Sequence, residues 1–148
     1  MGDTMPIIDP QLYITQSMIT NPYEFGGLFE KLPGDIPEIV KVIQGLLLHV
    51  FWAERYGVKL DEEQHQHVQN RTVRRILTVI QQLDGRQLNY ERPYQSRFFG
   101  NCRDHSVLMC AILRSKGIPA RARCGFARYF IPDWFEDHWI CEYWNSAK

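Results

Sequence analysis

Two residues in the last third of the chain have the types and setting for covalent chemistry. Cys102 stands in Gly100-Asn101-Cys102-Arg103-Asp104, where a helical pattern begins, and His138 stands further on in Asp137-His138-Trp139. A cysteine that opens a helix faces unpaired backbone N–H groups and the positive end of the helix dipole. Both favour the thiolate, which is the nucleophilic form. The same N–H groups can stabilise an oxyanion at an attacked carbonyl. Imidazole titrates near neutrality and is the natural base for such a thiol. Each residue also has a plainer reading, Cys102 as a core thiol and His138 as an ordinary strand residue.

Other candidates carry weaker signals. His65 and His67, with Glu62 and Glu63, are metal-ligating types, but an i, i+2 pair on a helix points to different faces, so a solvated polar helix is expected there. His105 lies one turn after Cys102 and reads as a packing or rim residue. Asp104 reads as a helix cap or as a partner of Arg121 or Arg123. Arg97, Arg103, Arg121, Arg123 and Arg128 form either a basic rim for an acidic substrate or ion-paired strand faces, and the second fits the pattern better. Trp52 and Tyr56 read as core. Cys110, two helical turns from Cys102, is too distant to pair with it without rearrangement. No metal and no cofactor is expected.

These residues need elements to hold them. Up to about Pro37 the chain is rich in Pro, Gly and aromatics and predicts short turns packed on a core. Asp35 caps a helix carrying Ile39, Val40, Ile43, Leu46, Leu47, Val50 and Phe51 at helical spacing, with Gly57 as its stop. Asp61 and Gln64 open a second helix, polar at first, then apolar at Val73, Ile76, Leu77, Ile80 and Leu83, closed by Asp84-Gly85. Residues 86–99 read as a long loop. The third helix starts at Cys102, buries Val107, Leu108, Ala111, Ile112 and Leu113, and ends at Gly117-Ile118-Pro119. Alternation from 120 to 130 and the aromatic run from 138 to 144 predict two antiparallel strands around Pro132-Asp133. The class is α+β, one domain over 1–148, with 1–85 mainly helical and 86–148 holding Cys102 and His138.

Composition narrows the function. The 148 residues are 45% hydrophobic and 23% charged, as in ordinary globular domains. Seventeen basic side chains balance seventeen acidic ones, so nothing draws the chain toward nucleic acid or anionic lipid. No signal-peptide pattern opens the chain and no apolar run spans a bilayer, so a cytoplasmic protein with reduced cysteines is expected.

The order Gly100-Asn101-Cys102, Gly117-Ile118-Pro119-Ala120-Arg121, Gly125-Phe126 and His138-Trp139 resembles the core motif of transglutaminase-like proteins. The wording around it, and His49-Val50-Phe51-Trp52-Ala53-Glu54-Arg55-Tyr56-Gly57, is similar to a bacterial subgroup of that family. The resemblance implies a papain-like core, a Cys-bearing helix against a small antiparallel sheet. It also implies acyl transfer on amide or peptide bonds by Cys102 and His138, inclining to amidase or protease activity over cross-linking. Family members carry an Asp on a following strand that orients the imidazole, and its loss costs about 10⁴ in a serine triad. Here the chain ends at Lys148, where the turn into that strand is expected. Asp137 points to the opposite face, and Glu142 is roughly 13 Å along the strand. The alternative is a catalytically impaired interaction or scaffold domain. An open sheet edge after the His138 strand further predicts a homodimer or strand exchange.

Overall fold

The computed structural model describes residues 9–145. As expected, the opening segment folds as short 3-10 turns, Pro10–Tyr13 and Tyr23–Phe29. Phe29 is buried in the core and Phe25 and Leu28 pack against it. Asp35 caps helix α1 (Ile36–Leu46), its side chain accepting the Glu38 N–H at 3.2 Å.

The helix predicted to run on to Gly57 instead stops at Leu46. Leu47–His49 forms strand β1, and Val50–Tyr56 is a 3-10 helix ended by Gly57 in the left-handed region at φ 75°. The cause is tertiary. β1 pairs in parallel with β2 (Phe98–Gly100), inside the segment expected to be loop, with Leu47 opposite Phe98 and His49 opposite Gly100. Leu47, Leu48, Phe98 and Phe99 are all buried. A short apolar run buried on both faces has no helical or strand period to read. The 3-10 segment turns Phe51, Trp52 and Tyr56 outward, so the expectation that Trp52 and Tyr56 are core is corrected.

The second predicted helix is also divided. Asp61 and Gln64 form the expected capping box on the single-turn helix α2 (Glu62–His65), a 3-10 turn follows over Gln66–Gln69, and α3 (Val73–Leu83) starts afresh with Thr72 as its cap. His67 is not on a solvated face. It is buried, stacks on Phe98 and Phe99, and its Nδ1 accepts the Phe99 N–H at 3.1 Å.

Helix α4 (Cys102–Ser115) crosses this assembly, and the apolar faces of α1, α3 and α4 meet in one core with Ile39, Ile76, Leu108 and Ile112 at its centre. Each such side chain contributes about 1.5–3 kcal/mol when fully buried. Two buried arginines order the stretch before β2. The Arg92 guanidinium donates to the carbonyls of Asp84, Arg86, Gln87 and Tyr90. That of Arg97 donates to the carbonyls of Gln44 and Arg92 and to the Glu91 carboxylate. Arg97 is therefore a structural clamp rather than part of a basic rim.

Strands β3 (Ala120–Ala127) and β4 (Glu136–Tyr143) form the expected antiparallel pair, with Gly125 opposite His138 and Ala122 opposite Cys141. Arg121 and Arg123 both pair with Glu142, at 2.6 and 2.8 Å, which is the ion-paired strand face that the sequence suggested. The architecture is α+β, a helical assembly carrying a two-stranded hairpin on α4.

Candidate functional site

The start of α4 is fixed before any chemistry is considered. Asn101 caps it, its Oδ1 accepting the N–H of Arg103 at 3.1 Å and of Asp104 at 3.3 Å. Asp104 is fully buried and returns the bond, accepting the Asn101 N–H at 2.9 Å, which completes a capping box. Its other oxygen takes the Arg103 guanidinium at 2.9 Å, and Arg103 also donates to the Val68 carbonyl at 2.7 Å. Asp104 thus holds a capping role and pairs with Arg103 rather than with Arg121 or Arg123. Gly100 makes this closeness possible, since a Cβ there would lie 3.0 Å from the Asp104 Cβ and 3.1 Å from its Oδ2.

Cys102 is the first residue of α4 and is half-buried. The Asn101 carbonyl and side chain take the N–H groups of Arg103, Asp104 and His105. The Cys102 N–H alone in this turn has no partner among the described residues.

His138 lies on β4, and the base of the hairpin packs against α4 near Cys110. Cys110 lies against the hairpin base, its Sγ 3.3 Å from the Ala120 carbonyl, and it contacts Cys141 on β4. From Cys110 back to Cys102 is about 12 Å along a helix. From Cys141 back to His138 is about 10 Å along a strand. The His138 ring lies edge-on to Phe130 at 5.0 Å and to Tyr129 at 6.0 Å. No hydrogen bond joins it to the Cys102 sulfur among the described residues.

Two more imidazoles stand at this end of α4. His105 packs one turn along from Cys102, its Nδ1 2.9 Å from the Asn101 carbonyl. His49, opposite Gly100 across the β1–β2 pair, stacks on the His105 ring with centroids 6.1 Å apart. Burial lowers the pKa of His49 to about 4, with smaller contributions from the charges of His105 and His138. Burial also lowers the pKa of His105. His49 was not singled out from the sequence. Its signals there are a lone imidazole inside an otherwise apolar run, Leu46-Leu47-Leu48-His49-Val50-Phe51, and its place at the head of the stretch similar to the bacterial subgroup.

Elsewhere, the Cys110 and Cys141 thiols touch within the α4–hairpin packing, and Cys141 is held protonated by the neighbouring sulfur and by burial. Cys124 is exposed, and all four cysteines are free. Among the described residues no cluster of three or more His, Cys, Asp or Glu is arranged to hold a metal ion. No helix there is long and apolar enough to cross a membrane.

Residues 54–148 match the family model described as Transglutaminase-like superfamily, well over half of the chain. No curated protein and no solved structure matches it.

Proposed function

Since this chain belongs to the transglutaminase-like superfamily, we propose that it is a cysteine acyl-transfer enzyme acting on amide or peptide bonds through Cys102 and His138. The observation that supports the reading is the packing of the hairpin on the helix that Cys102 opens. Cys102 starts a capped helix, and His138 lies three residues before Cys141, which packs against the core that this helix helps to form. The family model covers both residues.

The chemistry follows from these groups. His138 takes the proton from the Cys102 thiol, and the sulfur attacks the carbonyl carbon of the substrate. The tetrahedral intermediate collapses, the C–N bond breaks, and His138 returns the proton to the departing amine. A thioester is left on Cys102. Water then releases an acid, or an amine releases a new amide. Proton transfer requires the His138 ring within hydrogen-bond reach of the sulfur, and such contacts often tighten only when substrate binds. The thiol and imidazole can work as a pair without a third residue, because a cysteine forms an ion pair with its base more readily than a serine does. Amide hydrolysis in a reducing, cytoplasmic setting fits this reading best. A second copy laid on the open edge of the β3–β4 pair is the partner the hairpin invites, with sedimentation velocity at high concentration as its check; a strict monomer removes it.

Thiol reactivity tests the enzyme reading. Iodoacetamide at pH 6 should alkylate Cys102 much faster than exposed Cys124, and p-nitrophenyl acetate should acetylate Cys102 with a burst of nitrophenolate. Cys102→Ala should remove the burst, and His138→Gln should reduce it by about 10² or more. If Cys102 and Cys124 react alike and no burst appears, the chain is a non-catalytic interaction module.

A further inference from the structure

An acyl-transfer site needs hydrogen-bond donors for the oxyanion as well as a nucleophile and a base. The backbone at the start of α4 supplies little. The N–H groups of Arg103, Asp104 and His105 are committed to Asn101, and only the Cys102 N–H is left unpaired among the described residues. The first turn of α4 thus leaves one backbone donor, and a neighbouring side chain can supply the second.

The two imidazoles packed at this end of the helix offer opposite faces of the same chemistry. At His105, Nδ1 lies 2.9 Å from a carbonyl oxygen, which can only accept, so Nδ1 carries the proton and Nε2 is left with a lone pair. At His49, Nδ1 accepts the Phe51 N–H at 3.3 Å, so Nδ1 is bare and the proton sits on Nε2. His105 therefore presents an acceptor and His49 presents a donor. Burial keeps His49 neutral at pH 7, with its pKa lowered to about 4, so this donor does not double as an acid or a base.

The backbone also holds His49 in place. It faces Gly100 in the β1–β2 ladder, two residues before Cys102, and its ring rests on His105. We infer that His49 Nε2–H is the second oxyanion donor, acting with the Cys102 N–H on the carbonyl oxygen of the substrate. This rests on the acyl-transfer reading above, and it makes a side chain of β1, 53 residues ahead of the nucleophile in sequence, part of the reacting constellation.

The test separates oxyanion formation from thiolate formation. Iodoacetamide alkylates a thiolate by displacing iodide and generates no oxyanion. p-Nitrophenyl acetate acylates it through a tetrahedral oxyanion and expels nitrophenolate. His49→Asn retains an oxygen where Nδ1 accepts the Phe51 N–H but lacks the distal donor. His49→Gln places an amide N–H near the Nε2 position. His49→Asn should alkylate Cys102 within about twofold of the parent rate, while acetylation falls by about 10²–10³, the usual cost of one oxyanion donor. His49→Gln should recover acetylation to within about tenfold of the parent. Circular dichroism melts on both variants guard against misfolding. Acetylation by His49→Asn at the parent rate overturns the assignment. So does a parallel fall in both reactions, which would mean that His49 acts on the thiol or on the fold. If the parent protein itself is not acetylated at Cys102, the acyl-transfer reading falls, and the His49 assignment falls with it.

Discussion

Along α4 every residue from Ser106 to Leu113 is buried, whereas along β3 only Ala120 and Ala127 are, and along β4 none is. The two candidate residues thus sit on supports of opposite character. Cys102 belongs to a helix set into the core and tied at its start by Asn101, Asp104 and Arg103. His138 belongs to a hairpin attached to that helix at its base, through Ala120, Ala122 and Cys141, with Phe126, Tyr129, Trp134 and Phe135 facing outward. The difference separates two tasks. The candidate nucleophile is held where small displacements cost much, and the candidate base is carried on an element with far less burial.

Substitution can break that contrast or sharpen it. The largest expected effect on stability is at Asp104. Asp104→Ala leaves Arg103 without its buried partner and uncaps α4, and should lower unfolding stability in urea by about 3–5 kcal/mol. A loss under 1 kcal/mol would mean that the helix start is not the rigid side of the site.

Acid should act next, and again on the helix side. His49, His67 and His105 all have lowered pKa values, with burial as the first cause. In the unfolded chain each titrates near 6.5. Below that pH the unfolded state binds protons that the folded state refuses, so stability falls as pH drops. For His49 the loss runs from pH 6.5 down to about 4 and then levels off. The melting temperature should fall by several degrees, roughly 2–4 °C per kcal/mol, between pH 6.5 and 4.5. A flat melting temperature across that interval would contradict neutral imidazoles at these three positions.

The smallest effect belongs to the hairpin. Phe126 is 79% exposed, and Phe126→Ala should change unfolding stability by less than about 0.5 kcal/mol. A loss of 2 kcal/mol would show that something covers this face and that the contrast with α4 is overstated.

The same contrast explains what could be read from the sequence. Helix α4 and the hairpin were legible because their signals are local: a cap, an apolar stripe, a Gly-Ile-Pro stop, and alternation. The resemblance to the family rests on the same stretch, and so did the choice of Cys102 and His138. The β1–β2 pair was not legible. Its strands are three residues each, lie far apart in the chain, and are buried on both sides, so neither carries a period of its own. Missing that pair meant missing the break at Leu47, the burial of His67 against Phe99, and the approach of His49 to the α4 start. Thr72 was overlooked for a different reason: it sits between the polar run Gln69-Asn70-Arg71 and the apolar Val73, so the fresh helix start reads as part of one continuous helix.

The ladder that joins Leu47–His49 to Phe98–Gly100 also bears on the life of the nascent chain. Its two halves leave the ribosome about fifty residues apart, and closing so long a loop delays their meeting. Until they meet, His49 has no His105 ring to rest on and His67 no Phe99 N–H to accept, so the imidazole surroundings of the α4 entrance are a late product of folding.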